Sequence, residues 1–113
     1  MVLRKAFVMS VHPGQVEEYT KRHNPIWPEL EDVLYNHGVT KYNHGVTKYS
    51  IFFLASTNQL FAYAEIQDDA LWAAIAETEV CQKWWQHMGD IMPSNEDHSP
   101  KAEDLTEVFH IEK

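Results

Sequence analysis

Tyr49-Ser50-Ile51-Phe52-Phe53-Leu54-Ala55-Ser56-Thr57-Asn58-Gln59-Leu60-Phe61-Ala62-Tyr63-Ala64-Glu65-Ile66 decides the fold, because two aromatic and aliphatic runs flank a short polar segment. The pattern predicts an antiparallel hairpin, with Tyr49–Leu54 and Leu60–Ile66 as strands and Ala55–Gln59 as the turn. Upstream, Leu3 to Val11 reads as another strand: Leu3, Phe7, Met9 and Val11 share one face, Ala6 and Val8 the other. His12-Pro13-Gly14 turns the chain, and Gln15 to about His37 is a helical stretch broken near Asn24. Leu30, Val33 and Leu34 form the packed stripe of its second half. Downstream, Asp68 and Asp69 open a short helix with Leu71, Trp72 and Ile75. Thr78 opens another, carrying Val80, Cys81, Trp84, Trp85, Met88 and Met92, which Pro93 stops. After a polar loop from Asn95 to Asp104, Leu105 to Ile111 is expected as the closing strand.

The resulting order, β-α-β-β-α-β, is that of a ferredoxin-like α+β fold, an antiparallel sheet with both helical layers on one face. Its strands carry apolar residues on both parities, as in Phe52 with Phe53 and Leu60 with Phe61. Both sheet faces therefore need cover. The helices cover one, so a second copy is expected on the other, in a twofold homodimer.

The 113 residues fit one domain with one core, expected to span 1–113. Seventeen acidic against nine basic residues give a net charge of −8, which repels phosphate backbones and anionic lipid, so neither nucleic acid nor a membrane surface is an expected partner. A lone cysteine, Cys81, cannot form an internal disulfide and reads as a small buried hydrophobe in a reducing compartment. With no signal-peptide pattern and no apolar run near the ~20 residues of a membrane span, a soluble, cytoplasmic protein is expected.

The chemistry is concentrated in Tyr19-Thr20-Lys21-Arg22-His23-Asn24-Pro25-Ile26-Trp27-Pro28-Glu29-Leu30. Tyr19 and His23, four apart, share a helical face and can address one small molecule. The two prolines end that helix, and a new one is expected with Asn24 as N-cap and Pro25 in its first position. The plainer alternative makes Tyr19 an edge of the core and His23 a solvated helix-end histidine. Glu29, Glu31 and Asp32 could supply a catalytic carboxylate but read better as acids complementing a helix N-terminus. His12 reads as a turn residue, and His87, His98 and His110 as surface or edge residues.

Written as E-E-Y-x-x-R-H-N-P-I-W-P-E-L, Glu17 to Leu30 resembles the signature of the L-rhamnose mutarotase family. Val80-Cys81-Gln82-Lys83-Trp84-Trp85 is similar to that family's tryptophan pair, and Met92 to Pro100 to its C-terminal loop. The resemblance implies a dimeric α/β-barrel and a cofactor-independent isomerase that interconverts the anomers of L-rhamnose. It makes His23 the catalytic acid and gives Tyr19, Tyr49, Trp84 and Trp85 to sugar binding. Such a reaction opens the ring by protonating the ring oxygen while a base takes the anomeric hydroxyl proton. It needs neither metal nor redox cofactor, and no zinc or redox motif is present. The base is left open among a tyrosine, a carboxylate and water. Two rivals share the architecture: a small-ligand monooxygenase and a non-catalytic sugar-binding dimer.

One feature departs from the family pattern. Asn36-His37-Gly38-Val39-Thr40-Lys41-Tyr42 is followed at once by an identical copy, Asn43 to Tyr49. Inside a strand an odd insertion would invert every later side chain. The expectation is that Gly38 stops the helix, the extra residues form a longer loop, and the second copy enters the strand, so that Tyr49 and not Tyr42 takes the binding position. His37 and His44 recur through the repeat and do not imply a metal site.

Overall fold

The computed structural model of the chain describes residues 3–36, 48–66 and 68–113, with the backbone alone at 35 and 36. The described elements follow the order β1 (Leu3–Ser10), α1 (Val16–Arg22), α2 (Pro28–Asn36), β2 (Lys48–Leu54), β3 (Gln59–Ile66), α3 (Asp69–Ile75), α4 (Glu79–Met88) and β4 (Glu103–Asp104). Their strands form one antiparallel sheet in the order β2-β3-β1-β4. This is the expected α+β, ferredoxin-like arrangement.

The hairpin forms where the alternation of apolar residues demanded it. Phe52 pairs with Phe61 and Leu54 with Gln59 across the turn, while β1 pairs with β3 from Leu3↔Ile66 to Ser10↔Gln59. That register puts Met9, Leu60, Ala62, Ala64 and Ile66 on one face, where they are buried against Tyr19, Leu30, Ile75, Trp84 and Met88 from the helices. Val8, Phe61 and Phe52 line up across the opposite face, and Phe52 is 66% exposed. The strands alternate because successive side chains point to opposite faces.

The helix ends follow local chemistry. The Asp68 carboxylate accepts from the backbone N–H groups of Ala70 and Leu71, and the Thr78 hydroxyl accepts from that of Cys81. Both are N-caps that satisfy otherwise orphaned donors. Gly14 takes a left-handed φ of 81° in the turn after β1, a conformation glycine adopts without steric cost.

Three expectations are corrected. The second helix begins at Pro28 and not at Pro25; the Asn24–Pro25 bond is cis, and the Trp27 carbonyl accepts from Leu30 and Glu31 as the N-cap carbonyl of α2. A residue before proline is pushed out of helical backbone geometry, so Trp27 could not lie within a helix that continued through Pro28. The helix from Thr78 ends at Met88, and Met92 is buried from the turn that follows. The closing strand is only Glu103–Asp104 and not Leu105–Ile111. Beyond it the chain stays beside β1 as far as the Leu105 N–H to Ala6 carbonyl bond and the Arg4–Glu107 ion pair at 2.7 Å. Further on, Val108, Phe109 and Ile111 are 77–91% exposed. Gly38 and most of the repeat lie outside the described residues, as do His37 and His44.

Candidate active site

A cavity of about 650 Å³ opens between the helices and the inner sheet face. That size is typical of small-molecule sites. Tyr19, His23, Tyr49, Trp84 and Trp85 all line it, so the structure brings together every site residue expected from the sequence. Among the described residues, none that lines it is Asp, Glu, Lys or Arg. Glu29, Glu31 and Asp32 are exposed on α2, away from the cavity, in keeping with the dipole reading.

His23 forms the C-cap of α1. Its Nδ1 lies 2.9 Å from the Tyr19 carbonyl oxygen. A carbonyl can only accept, so Nδ1 is the donor and carries hydrogen in both the neutral and charged ring. Nε2 is then the nitrogen whose protonation changes. The ring stacks on Tyr19, with centroids 4.3 Å apart, and meets Trp84 edge-on at 5.2 Å. Burial lowers the His23 pKa from its ordinary value, and the Tyr19 carbonyl opposes that shift only in part. Removing water disfavours the charged ring.

Trp84 also meets Trp27, which does not line the cavity, in an edge-on contact at 5.0 Å. Trp84 is buried and Trp85 half-buried, although they are neighbours on α4. Residues one apart on a helix point about 100° from each other, so their surroundings differ. From the sheet, Tyr49 pairs with Ala64 and lies 5.8 Å from Trp72. Burial pushes the Tyr19 hydroxyl well above the usual phenol range, and proximity to Tyr49 adds to the effect; the Tyr49 hydroxyl, desolvated where it enters the cavity, is raised as well, although the residue as a whole is 37% exposed. Both therefore stay neutral as hydrogen-bonding groups. Burial likewise pushes the Cys81 thiol up to about 11, making it unreactive.

Trp72, Asn24, Ser94, His98 and Ser99 also line the cavity. From sequence Trp72 reads only as a member of a short helix and His98 as a surface or edge residue; no local pattern distinguishes a cavity-facing member of such a helix or loop. Among the described residues no three His, Cys, Asp or Glu side chains gather as a metal cage.

The L-rhamnose mutarotase family model matches residues 4–111. The chain belongs to the L-rhamnose mutarotase family. It is 55% identical to the L-rhamnose mutarotase of Pectobacterium atrosepticum, and 57% identical to that of Opitutus terrae; each alignment covers 98% of this chain and all of the relative. The solved L-rhamnose mutarotase FA22100 of Formosa agariphila superposes with a TM-score of 0.83 at 40% identity, covering 97% of this chain and 99% of the other. A candidate antibiotic biosynthesis monooxygenase from Nitrosomonas europaea superposes at 0.60 with 15% identity, covering 96% and 91%, which shows a shared fold and nothing more. Membership of the mutarotase family separates this chain from that rival.

Proposed function

We propose that this protein interconverts the α and β anomers of L-rhamnose, with His23 as its proton carrier. The carrying observation is a neutral, aromatic-walled cavity in which one histidine has Nδ1 tied to a carbonyl and Nε2 left to change its proton. A cavity whose described lining carries no Asp, Glu, Lys or Arg suits an uncharged sugar. Tyr19 and Tyr49 offer hydroxyls for its polar edge, while Trp84 and Trp85 offer apolar faces and indole N–H donors.

The lowered pKa makes neutral imidazole the resting form near neutrality. His23 Nε2 then begins as a base, taking the anomeric hydroxyl proton as C1=O forms and the C1–O5 bond breaks. The resulting imidazolium supplies a proton to O5. Both oxygens are attached to C1, so one nitrogen can serve both. Rotation about C1–C2 and reclosure on the other carbonyl face, by the same steps in reverse, gives the second anomer. A positioned group of this kind contributes about 10²–10⁴-fold. No cofactor takes part in this scheme.

We further propose a homodimer that works in the cytoplasm. Phe52 on the open sheet face and Val108, Phe109 and Ile111 on the tail are exposed apolar groups of a single chain, and a twofold mate can cover both sets.

Polarimetry tests the activity: a freshly dissolved single anomer of L-rhamnose should relax faster with the protein than with His23→Ala. Equal rates for the two proteins would remove His23 from the reaction. Tight sugar binding without faster relaxation would favour a non-catalytic binding dimer.

A further inference from the structure

Arg22 precedes His23, does not line the cavity, and has a side chain only 15% exposed. Its guanidinium spends all three nitrogens on fixed partners. Nε donates to Glu18 at 2.7 Å, Nη1 to the His87 carbonyl at 2.7 Å and to Asp90 at 2.9 Å, and Nη2 to the other Asp90 oxygen at 3.2 Å. Glu18 lies on α1, His87 in the last turn of α4, and Asp90 just beyond it. One side chain thus bolts the C-terminal end of α1 to that of α4. Helix α1 has seven residues, too few to hold its own end in place. The His23–Trp84 ring contact, centroids 5.2 Å apart, spans the same pair of helices.

We infer that Arg22 is a positioning residue for proton transfer, fixing the His23 ring against Trp84 and thereby the place of Nε2 beside a bound sugar. The inference rests on His23 being the proton carrier. Glu18 and Asp90 are 41% and 66% exposed, where ion pairs add little stability. The planar bidentate fork instead supplies direction, which a lysine ammonium cannot reproduce.

The test compares Arg22→Gln, Arg22→Lys and His23→Asn in the full chain. Misplacing a reacting group by a fraction of an ångström is costly, so Arg22→Gln should lower kcat for anomer exchange about tenfold or more while KM changes less than about twofold. Arg22→Lys should fall between the two, since its cation still reaches some acceptors. The His23 ring proton resonances should also move and broaden in Arg22→Gln as the Trp84 ring current ceases to act from a fixed distance. Should Arg22→Gln not fold, Asp90→Asn removes part of the clamp and is read the same way. Normal kcat and unchanged His23 resonances, with only a lower melting temperature, would overturn the inference. Retained exchange in His23→Asn would instead overturn the proton-carrier reading, and the ring resonances would still decide whether Arg22 places His23.

Discussion

At the scale of single residues, the lowered His23 pKa makes a signed prediction. A neutral base is lost as it protonates, so kcat/KM should fall on the acid side, through a midpoint below about 6.5, and be level near neutrality. A reaction begun by imidazolium would fall on the alkaline side instead. The same shift links to stability: below about pH 6.5 the unfolded chain binds more protons at this histidine than the folded one, so stability declines as pH drops through that value. His23→Asn should flatten both the rate limb and this part of the stability profile. The Tyr19–His23 pairing was legible from spacing alone, because four residues on a helix bring two side chains together. The Nδ1 bond to the Tyr19 carbonyl was not legible. It depends on the ring rotamer, which no sequence pattern encodes; burial, and not this bond, lowers the His23 pKa and so favours the proposed start as a base over the acid role the resemblance implies.

At the scale of elements, Trp84 and Trp85 should respond unequally to truncation. Trp84 is buried against His23 and Trp27, so Trp84→Ala should cost about 3–5 kcal/mol of stability in addition to any effect on the sugar. Trp85 is half-buried, so Trp85→Ala should cost less stability and raise KM. Denaturant melts and KM values check both; equal destabilisation with KM unchanged would remove the pair from the sugar site. The repeat permits a further test. Tyr49 lies in β2 opposite Ala64 and lines the cavity, so Tyr49→Phe should raise KM while Tyr42→Phe should not. If the extra copy forms a loop, as expected from the sequence, deleting Asn36 to Tyr42 should keep the β2–β3 register and stabilise the fold slightly, since loop length costs only about 0.6 kcal/mol per doubling. The hairpin and β1 were readable because a period of two has one solution when one face is buried. The start of α2 was misread because two prolines compete for the same role, and the restriction that Pro28 places on Trp27 decides between them.

At the scale of the whole molecule, the short β4 is the informative difference between sequence and structure. Leu105 to Ile111 has a strand's composition, but within one chain only Glu103–Asp104 pairs with β1, leaving Val108 and Phe109 91% and 77% exposed. Strand propensity is realised only where there is a neighbour to pack against. If a second copy covers the tail and the open face, Phe52→Asp or Val108→Asp should shift sedimentation from dimer toward monomer, and a wild-type chain that sediments as a monomer at high concentration would refute the homodimer. Cavity, aromatic wall and proton carrier together make one central claim, that the protein exchanges sugar anomers through a neutral histidine. Saturation-transfer NMR between the two anomeric protons of L-rhamnose, with and without the protein from about pH 5 to 8, tests it most directly. Transfer should be enhanced by the protein, level near neutrality and declining toward the acid end; transfer no faster than in buffer at every pH would rule out anomer exchange by this protein.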